Sequence, residues 1–158
     1  MNEIVYRIAE GLTKRSYYLA VAESCTGGWI AQEMTAVAGS SEWFDCGFVT
    51  YSNESKQRML GVAHNTLEQN GAVSQAVVAE MAEGVLSNSR ASIGVATSGI
   101  AGPGGGSNDK PVGTVWFAWA EEGKATRTEK MIFSGDRESV RKQAVSHALQ
   151  GILKNLSS

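Results

Sequence analysis

The sequence predicts an α/β fold in which helices cover both faces of a mixed, mainly parallel sheet and a β-hairpin comes late in the chain. In the first half, short apolar runs alternate with amphipathic helical patterns, which is typical of parallel strands joined by helices. In the second half, two strand-like runs flank Glu122-Gly123-Lys124, a turn signal that indicates an antiparallel hairpin. At 158 residues, the chain is most simply one domain with three α/β/α layers.

Hydrophobic periodicity gives the order of the elements. Apolar residues spaced by three or four positions predict helices, and continuous or alternating apolar runs predict strands. Helical patterns cover residues 3–14, 29–37, 56–60, 66–69, 75–86 and 136–156. Strand-like runs cover residues 17–22, 47–51, 91–96, 112–121 and 125–133. Ser52 or Asn53 is expected to cap the third of these helices, and Ser74 is expected to cap the fifth.

Composition argues against several classes of protein. Apolar residues make up 42% of the chain and charged residues 19%, as in globular proteins. The net charge of −2 comes without a basic block, so a nucleic-acid-binding surface has no electrostatic support. No apolar run approaches membrane-spanning length, and the first residues lack the pattern of a secretory signal. We therefore expect a cytoplasmic protein that binds neither nucleic acid nor membrane.

Cysteine and histidine usage argues against disulfides and metal sites. Cys25 and Cys46 do not suggest a disulfide framework and are expected to be reduced thiols. His64 and His147 lie far apart, and neither has the spacing of a metal ligand from a cysteine or a carboxylate pair. We expect no metal site.

The most informative segment joins the first strand to the second helix and reads Ala22-Glu23-Ser24-Cys25-Thr26-Gly27-Gly28. Three small nucleophile-type side chains and two glycines precede a helix N-terminus, where backbone N–H groups are unpaired. Such a junction can hold a phosphate, or stabilise an oxyanion beside a nucleophile. A purely structural junction is the alternative, because Ser and Thr are common N-caps and Gly-Gly is common in tight turns.

Two further segments carry candidate chemistry. The glycine-rich run 98–107 follows the third strand and is either a loop that approaches a ligand closely or a flexible surface loop. Tyr51 ends the second strand, and Lys56 lies about one turn into the next helix. A buried lysine can act as a general base with a tyrosine relaying the proton, although a lysine on a short helix is usually solvated. Parallel strands would bring all three segments to one edge of the sheet.

Taken together, these segments resemble the CinA C-terminal domain family over nearly the whole chain. The matching segments are Glu23-Ser24-Cys25-Thr26-Gly27-Gly28, Gly39-Ser40-Ser41-x-x-Phe44, Gly47-Phe48-Val49-Thr50-Tyr51-Ser52-Asn53-x-x-Lys56, Gly71-Ala72-Val73-Ser74, Ser98-Gly99-Ile100-Ala101-Gly102-Pro103-x-Gly105-Gly106-Ser107, Lys110-Pro111-Val112-Gly113-Thr114-Val115 and Gly135-Asp136-Arg137. Any one segment is weak evidence, but seven in register make the resemblance specific. It points in particular to the stand-alone members, the nicotinamide mononucleotide amidohydrolases.

The resemblance implies a reaction and its participants. Nicotinamide mononucleotide would be hydrolysed at its carboxamide to nicotinic acid mononucleotide and ammonia, in pyridine-nucleotide salvage, with no metal or organic cofactor. Ser24 matches the family's nucleophile, Lys56 its base, and Tyr51 a residue that assists proton transfer. The family's three-layer α/β/α fold agrees with the fold predicted from periodicity. The resemblance also implies a homo-oligomer.

Further residues are expected to contact the mononucleotide substrate. Backbone amides after Ser24 and residues at the end of the third strand would contact the oxyanion or the carboxamide. The phosphate would bind at the N-terminus of the second helix, at the glycine-rich loop or at Arg137, with Arg141 one turn away. The expected substrate-binding residues are Cys25, Thr26, Gly27, Gly28, Asn53, Thr97, Ser98, Gly99, Gly102, Gly105, Arg137 and Arg141.

Three questions stay open in the sequence. Cys25 adjoins Ser24 and is the stronger nucleophile once ionised, although the resemblance assigns this role to Ser24. Gly104 stands where many members of the family carry Asp. The protein can also be a nucleotide-binding or regulatory module linked to competence or damage responses, or an amidase for another small carboxamide.

Overall fold

Six α-helices and five β-strands make up residues 1–157, the part of the chain that the computed structural model describes. The helices are α1 (Asn2–Arg15), α2 (Trp29–Thr35), α3 (Asn53–Leu60), α4 (His64–Asn70), α5 (Gln75–Ser87) and α6 (Arg137–Ser157). The strands are β1 (Leu19–Glu23), β2 (Phe44–Val49), β3 (Ile93–Gly99), β4 (Thr114–Glu121) and β5 (Arg127–Ile132). A 3-10 turn at Ser40–Glu42 precedes β2. None of these helices has the length and apolar content needed to cross a membrane.

The five strands form one sheet in the order β2-β1-β3-β4-β5. β1 is parallel to both of its neighbours, and Ala22 lies opposite Phe48 on β2 and Ala96 on β3. β4 is antiparallel to β3 and β5. Four strands therefore run in one direction and β4 runs against them. This arrangement confirms the predicted mixed, mainly parallel sheet with a late hairpin.

Helices cover both faces of the sheet, which confirms the predicted three layers. On one face, α1, α2 and α6 pack against large strand residues such as Leu19, Val95 and Phe117. On the other face, α3, α4 and α5 pack against a surface rich in alanine, formed by Ala20, Ala22, Ala96, Ala118 and Ala120. Close packing continues between the helices, because a Cβ added at Gly84 on α5 would collide with the Leu60 carbonyl at the end of α3.

All five strands differ from their predicted bounds by one to three residues. The largest differences are at the start of β2 and the end of β3, because strand pairing, rather than hydrophobicity, sets these ends. β2 begins at Phe44, where it pairs with Leu19, and not at residue 47. It ends at Val49, so Tyr51 lies beyond the strand that it was predicted to finish. β3 continues to Gly99 instead of ending at residue 96, because β4 extends the ladder to the Gly99–Val115 pair.

Candidate active site

The three candidate catalytic residues and half of the expected substrate-binding residues line a cavity at the edge of the sheet where β1, β2 and β3 end, as expected for parallel strands. The loops after these strands, the start of α3, the segment between α4 and α5, and the start of α6 line this open cavity of about 280 Å³. The residues that line it are Ser24, Cys25, Tyr51, Lys56, Ala72, Val73, Ser98, Gly99, Ile100, Ala101, Gly102, Gly104, Gly105 and Arg137.

Lys56 and Ser24 form a hydrogen-bonded pair in this cavity. Lys56 Nζ donates to Ser24 Oγ at 3.0 Å and to the carbonyl oxygen of Thr50 at 2.7 Å. The pair is shielded from solvent, since Lys56 is 1% exposed and Ser24 is 8% exposed. A capping box between Ser52 and Ser55 starts α3 and places Lys56 in its first turn, beside the end of β2.

Burial changes the acid–base behaviour of Lys56. No carboxylate within residues 1–157 forms an ion pair with its side chain. Burial disfavours the charged ammonium and lowers the pKa of Lys56 to about 8. A fraction of the lysine is therefore a neutral amine near neutral pH, and a neutral amine can accept the Ser24 proton.

Cys25, the alternative nucleophile, lies in the same cavity in its thiol form. Burial raises the pKa of Cys25 to about 11, and this effect outweighs the opposing influence of the Cys25 backbone N–H, of Arg141 and of Lys56. A thiol with this pKa is almost entirely protonated at neutral pH, and the thiolate is the reactive form. The hydrogen bond from Lys56 goes to Ser24. The geometry and the ionisation therefore both favour Ser24 over Cys25.

Two charged side chains hold the loop that carries Ser24. Glu23 is 1% exposed, and its carboxylate oxygens accept hydrogen bonds from the N–H groups of Ile30 and Ala31, each at 2.9 Å. Arg141 donates to the carbonyl oxygens of Cys25 and Thr26 at 3.0 Å and 3.3 Å. Glu23 thus occupies N-terminal amides of α2. Glu23 was not among the predicted site residues, although a carboxylate just before a helix N-terminus is a recognisable capping signal.

Arg137 and Tyr51 form the rim of the cavity. Arg137 Nη1 donates to the carbonyl oxygen of Gly102 at 2.8 Å, and Nη2 donates to the Tyr51 hydroxyl at 3.1 Å. The Tyr51 side chain is 61% exposed, and its hydroxyl contacts Arg137 rather than Lys56 or Ser24. Because Arg137 begins α6, its guanidinium joins this helix to the glycine-rich loop and to the segment after β2. It also places a permanent positive charge at the cavity rim.

Comparisons with known proteins agree with this architecture. The family model of the CinA C-terminal domain matches residues 1–156. This chain belongs to the CinA C-terminal domain family. Nicotinamide-nucleotide amidohydrolase PncC from Escherichia coli K12 is 55% identical over 150 residues, which are 95% of this chain and 91% of that protein. The protein of the same name from Pseudomonas putida is 51% identical over 154 residues, 98% of this chain and 96% of the relative.

Solved structures of the family share the fold. The competence/damage inducible protein CihA from Agrobacterium tumefaciens superposes with a TM-score of 0.95 at 43% sequence identity. The superposition covers 99% of this chain and 95% of that structure.

The expected substrate-binding residues of this CinA domain divide into two groups. Those that line the cavity are Cys25, Ser98, Gly99, Gly102, Gly105 and Arg137. Those that do not line it are Thr26, Gly27, Gly28, Asn53, Thr97 and Arg141. Thr26 and Thr97 are fully buried, with their hydroxyl oxygens 3.1 Å apart, and Asn53 is exposed on α3.

Four apolar residues of the cavity wall were not predicted individually. They are Ala72, Val73, Ile100 and Ala101, and all four lie in segments that carry the family resemblance. Ser98 holds two sides of this wall together, because its hydroxyl donates to the carbonyl oxygen of Ala72 at 2.9 Å. Small apolar residues carry no chemical signal in a sequence, so only their position in the fold identifies them.

Proposed function

We propose that this protein hydrolyses the carboxamide of nicotinamide mononucleotide to nicotinic acid mononucleotide and ammonia. The observation that carries the proposal is the 3.0 Å hydrogen bond between Lys56 Nζ and Ser24 Oγ in a cavity at the sheet edge. A serine activated by lysine is a known variant of nucleophilic catalysis that needs no histidine. The amidohydrolase names of relatives at 55% and 51% identity support the same reaction class.

The first half of the proposed reaction forms an ester on Ser24. The neutral amine of Lys56 accepts the hydroxyl proton while Ser24 Oγ attacks the carboxamide carbon. The C–N bond then breaks, and the Lys56 ammonium returns the proton to the departing nitrogen, which leaves as ammonia. In the second half, water attacks the ester carbon with Lys56 again as base. The C–O bond to Ser24 breaks, the serine hydroxyl is restored and the carboxylate product leaves.

The lining of the cavity suits the parts of this substrate. The apolar side chains of Ala72, Val73 and Ile100 offer a surface for the pyridine ring. Arg137 offers charge-assisted hydrogen bonds to the phosphate, and the neighbouring glycine-rich loop brings backbone close to it. Because Glu23 already occupies amides at the N-terminus of α2, we assign the phosphate to Arg137 and the glycine-rich loop.

Tyr51 is proposed to assist proton transfer, and this role requires a rearrangement of its side chain. Its hydroxyl accepts a hydrogen bond from Arg137, the residue assigned to the phosphate. A phosphate bound to Arg137 would compete for that guanidinium and release the hydroxyl towards the reacting groups. Catalytic contacts commonly form only once the substrate is bound.

Ammonia release from nicotinamide mononucleotide by the wild type, Ser24→Ala and Cys25→Ala tests the proposal. We expect turnover by the wild type and by Cys25→Ala, and a loss of about 10³-fold or more in Ser24→Ala. Circular dichroism checks that each variant is folded. Loss in Cys25→Ala with activity kept in Ser24→Ala would assign the thiol as nucleophile.

The same samples test the non-catalytic alternative and the substrate range. A folded wild type that binds the mononucleotide without releasing ammonia would indicate a nucleotide-binding module. Competition by nicotinamide and by its riboside, which lack the phosphate, measures how much the phosphate contributes to the affinity for the mononucleotide. If both compete as well as the mononucleotide does, the enzyme is an amidase of broader range and the phosphate assignment is wrong.

A further inference from the structure

We propose that Arg141 is a positioning residue that directs the backbone N–H groups following Ser24 towards the oxyanion formed during amide hydrolysis. This inference rests on the proposed function, since it concerns the same reaction at Ser24. It replaces the expectation that Arg141 binds the substrate phosphate.

The contacts of Arg141 tie it to the loop rather than to a ligand. Its Nε donates to the Cys25 carbonyl oxygen at 3.0 Å, and its Nη2 donates to the Thr26 carbonyl oxygen at 3.3 Å. Its guanidinium carbon lies 5.5 Å from the centroid of the Trp29 ring. The side chain is half-buried and does not line the cavity. Three contacts to the segment 25–29 therefore hold the guanidinium in place.

Peptide geometry converts these contacts into an orientation of the N–H groups. In a planar trans peptide, the carbonyl and the following N–H point in opposite directions. Because the Cys25 carbonyl points to Arg141, the Thr26 N–H points away from it. The Ser24 carbonyl accepts a hydrogen bond from the Gly27 N–H at 3.1 Å. By the same peptide geometry, the Cys25 N–H points away from Gly27.

Two adjacent N–H groups are thereby left without an acceptor in any other residue that the structure describes. Within residues 1–157, neither the Cys25 N–H nor the Thr26 N–H donates to a backbone carbonyl or to the side chain of another residue. The Cys25 N–H has only the sulfur of its own side chain nearby. Buried N–H groups nearly always have a partner, so an adjacent pair directly after a nucleophile indicates that a ligand oxygen completes them. Successive N–H groups of this kind form anion-binding sites and oxyanion holes.

The charge of Arg141 adds to the effect of its position. A cation bonded to a carbonyl oxygen polarises the peptide and strengthens the N–H as a donor. The negative oxygen develops as Ser24 attacks, whereas the ground-state carboxamide oxygen is neutral. Loss of Arg141 should therefore lower kcat more than it weakens substrate binding.

Steady-state kinetics of Arg141→Met, Arg141→Lys and the control Lys142→Met test this proposal. Methionine keeps an apolar stem and removes the charge and the donors, while Lys142 is an exposed cation on the same helix. For Arg141→Met we expect kcat for nicotinamide mononucleotide to fall about 10²-fold, with KM changing by less than about threefold. Arg141→Lys should recover part of kcat, and Lys142→Met should match the wild type. A rise in KM with unchanged kcat would identify Arg141 as a phosphate ligand and overturn the proposal.

A second measurement does not depend on the identity of the substrate. An alkyl fluorophosphonate reacts with an activated serine: an O–P bond forms, fluoride leaves and the serine proton passes to the base. Its phosphoryl oxygen occupies the oxyanion position. We expect Arg141→Met to be labelled at Ser24 about 10²-fold more slowly than the wild type, with Lys142→Met unchanged and Ser24→Ala unlabelled.

The labelling rates separate this inference from the proposed function. Labelling of a wild type that releases no ammonia from the mononucleotide would refute the proposed substrate, and the rate in Arg141→Met would still decide the role of Arg141. Equal labelling of the wild type and a folded Arg141→Met would overturn the inference, as would the absence of labelling in the wild type. If Arg141→Met does not fold, Arg141→Lys replaces it, because lysine lacks the guanidinium fork. Labelling of Arg141→Lys at the wild-type rate would then overturn the inference.

Discussion

The side-chain nitrogen of Lys56 lies 2.7 Å from the carbonyl oxygen of Thr50. A carbonyl oxygen only accepts hydrogen bonds, so this contact uses an N–H of Lys56 whether the side chain is an ammonium or a neutral amine. The nitrogen can therefore stay in place while a proton is gained and lost. The lone pair of the neutral amine remains available for the Ser24 hydroxyl, 3.0 Å away.

Activity is predicted to rise with pH and to level off above about 8. Burial lowers the pKa of Lys56 to about 8, and only the neutral amine accepts the serine proton. Below the pKa, kcat/KM for ammonia release should increase about tenfold per pH unit, as measured by initial rates. Lys56→Arg should be inactive over the same range, because guanidinium does not deprotonate there. A rate that is independent of pH on both sides of neutrality would mean that another group is the base.

Lys56→Met is predicted to stabilise the folded protein at neutral pH while abolishing activity. The lysine has a pKa of about 8 when folded and an ordinary value of 10.5, so the unfolded chain binds more protons between these values. The free energy of unfolding of the wild type therefore rises as the pH increases from about 8 to 10.5. Below about pH 8, the buried lysine is charged and lowers the free energy of unfolding by the full cost of its burial. Allowing for the lost hydrogen bonds, we expect the variant to gain about 1–3 kcal/mol at neutral pH.

Urea unfolding of the wild type and Lys56→Met at pH 7 and near pH 10 measures this gain. The difference in unfolding free energy should shrink at the higher pH, where the wild-type lysine is neutral in the folded state. A difference of the same size at both pH values would attribute the gain to packing instead of charge.

Glu23→Gln is predicted to lower the free energy of unfolding by about 2 kcal/mol, as judged by urea denaturation. The Glu23 carboxylate accepts from both Ile30 and Ala31, whereas an amide has one acceptor oxygen and would turn its NH₂ group towards an N–H. The matched control is Glu54→Gln, because Glu54 forms an exposed ion pair with Arg58 and its loss should leave stability nearly unchanged. Similar losses in both variants would argue against a structural role specific to Glu23.

Arg137→Ala is predicted to raise KM for nicotinamide mononucleotide by about 10- to 100-fold, because a charge-assisted contact to the phosphate is lost. The rate of fluorophosphonate labelling at Ser24 should stay near the wild-type value, since that probe needs no phosphate site. Lys142→Ala removes an exposed cation from the same helix and serves as the control. A fall in kcat with an unchanged KM would instead place Arg137 in the chemical step, through its hydrogen bond to Tyr51.

Most helices and strands were predictable from the sequence, because hydrophobic periodicity reflects which face of a segment is buried. The capping residue of α3 was also predictable, since Ser52 and Ser55 interact over three positions of local sequence. The start of β2 and the end of β3 were not predictable in this way. Phe44 and Gly99 belong to these strands because they pair with Leu19 and Val115, which are distant in the chain. The role of Glu23 was not predicted for a related reason. Its carboxylate oxygens accept hydrogen bonds from amides seven and eight positions further along the chain, beyond the reach of a local capping pattern.

Local patterns and ordered motifs were sufficient to assign the α/β class, the family and the segments that form the candidate site. They could not determine that Lys56 is buried beside Ser24, that Tyr51 bonds to Arg137, or that Arg141 faces the loop carbonyls instead of the cavity. Each of these facts joins residues more than thirty positions apart, and each depends on how the helices pack against the sheet. The same packing lowers the pKa of Lys56, because desolvation exists only once the chain has folded around the side chain.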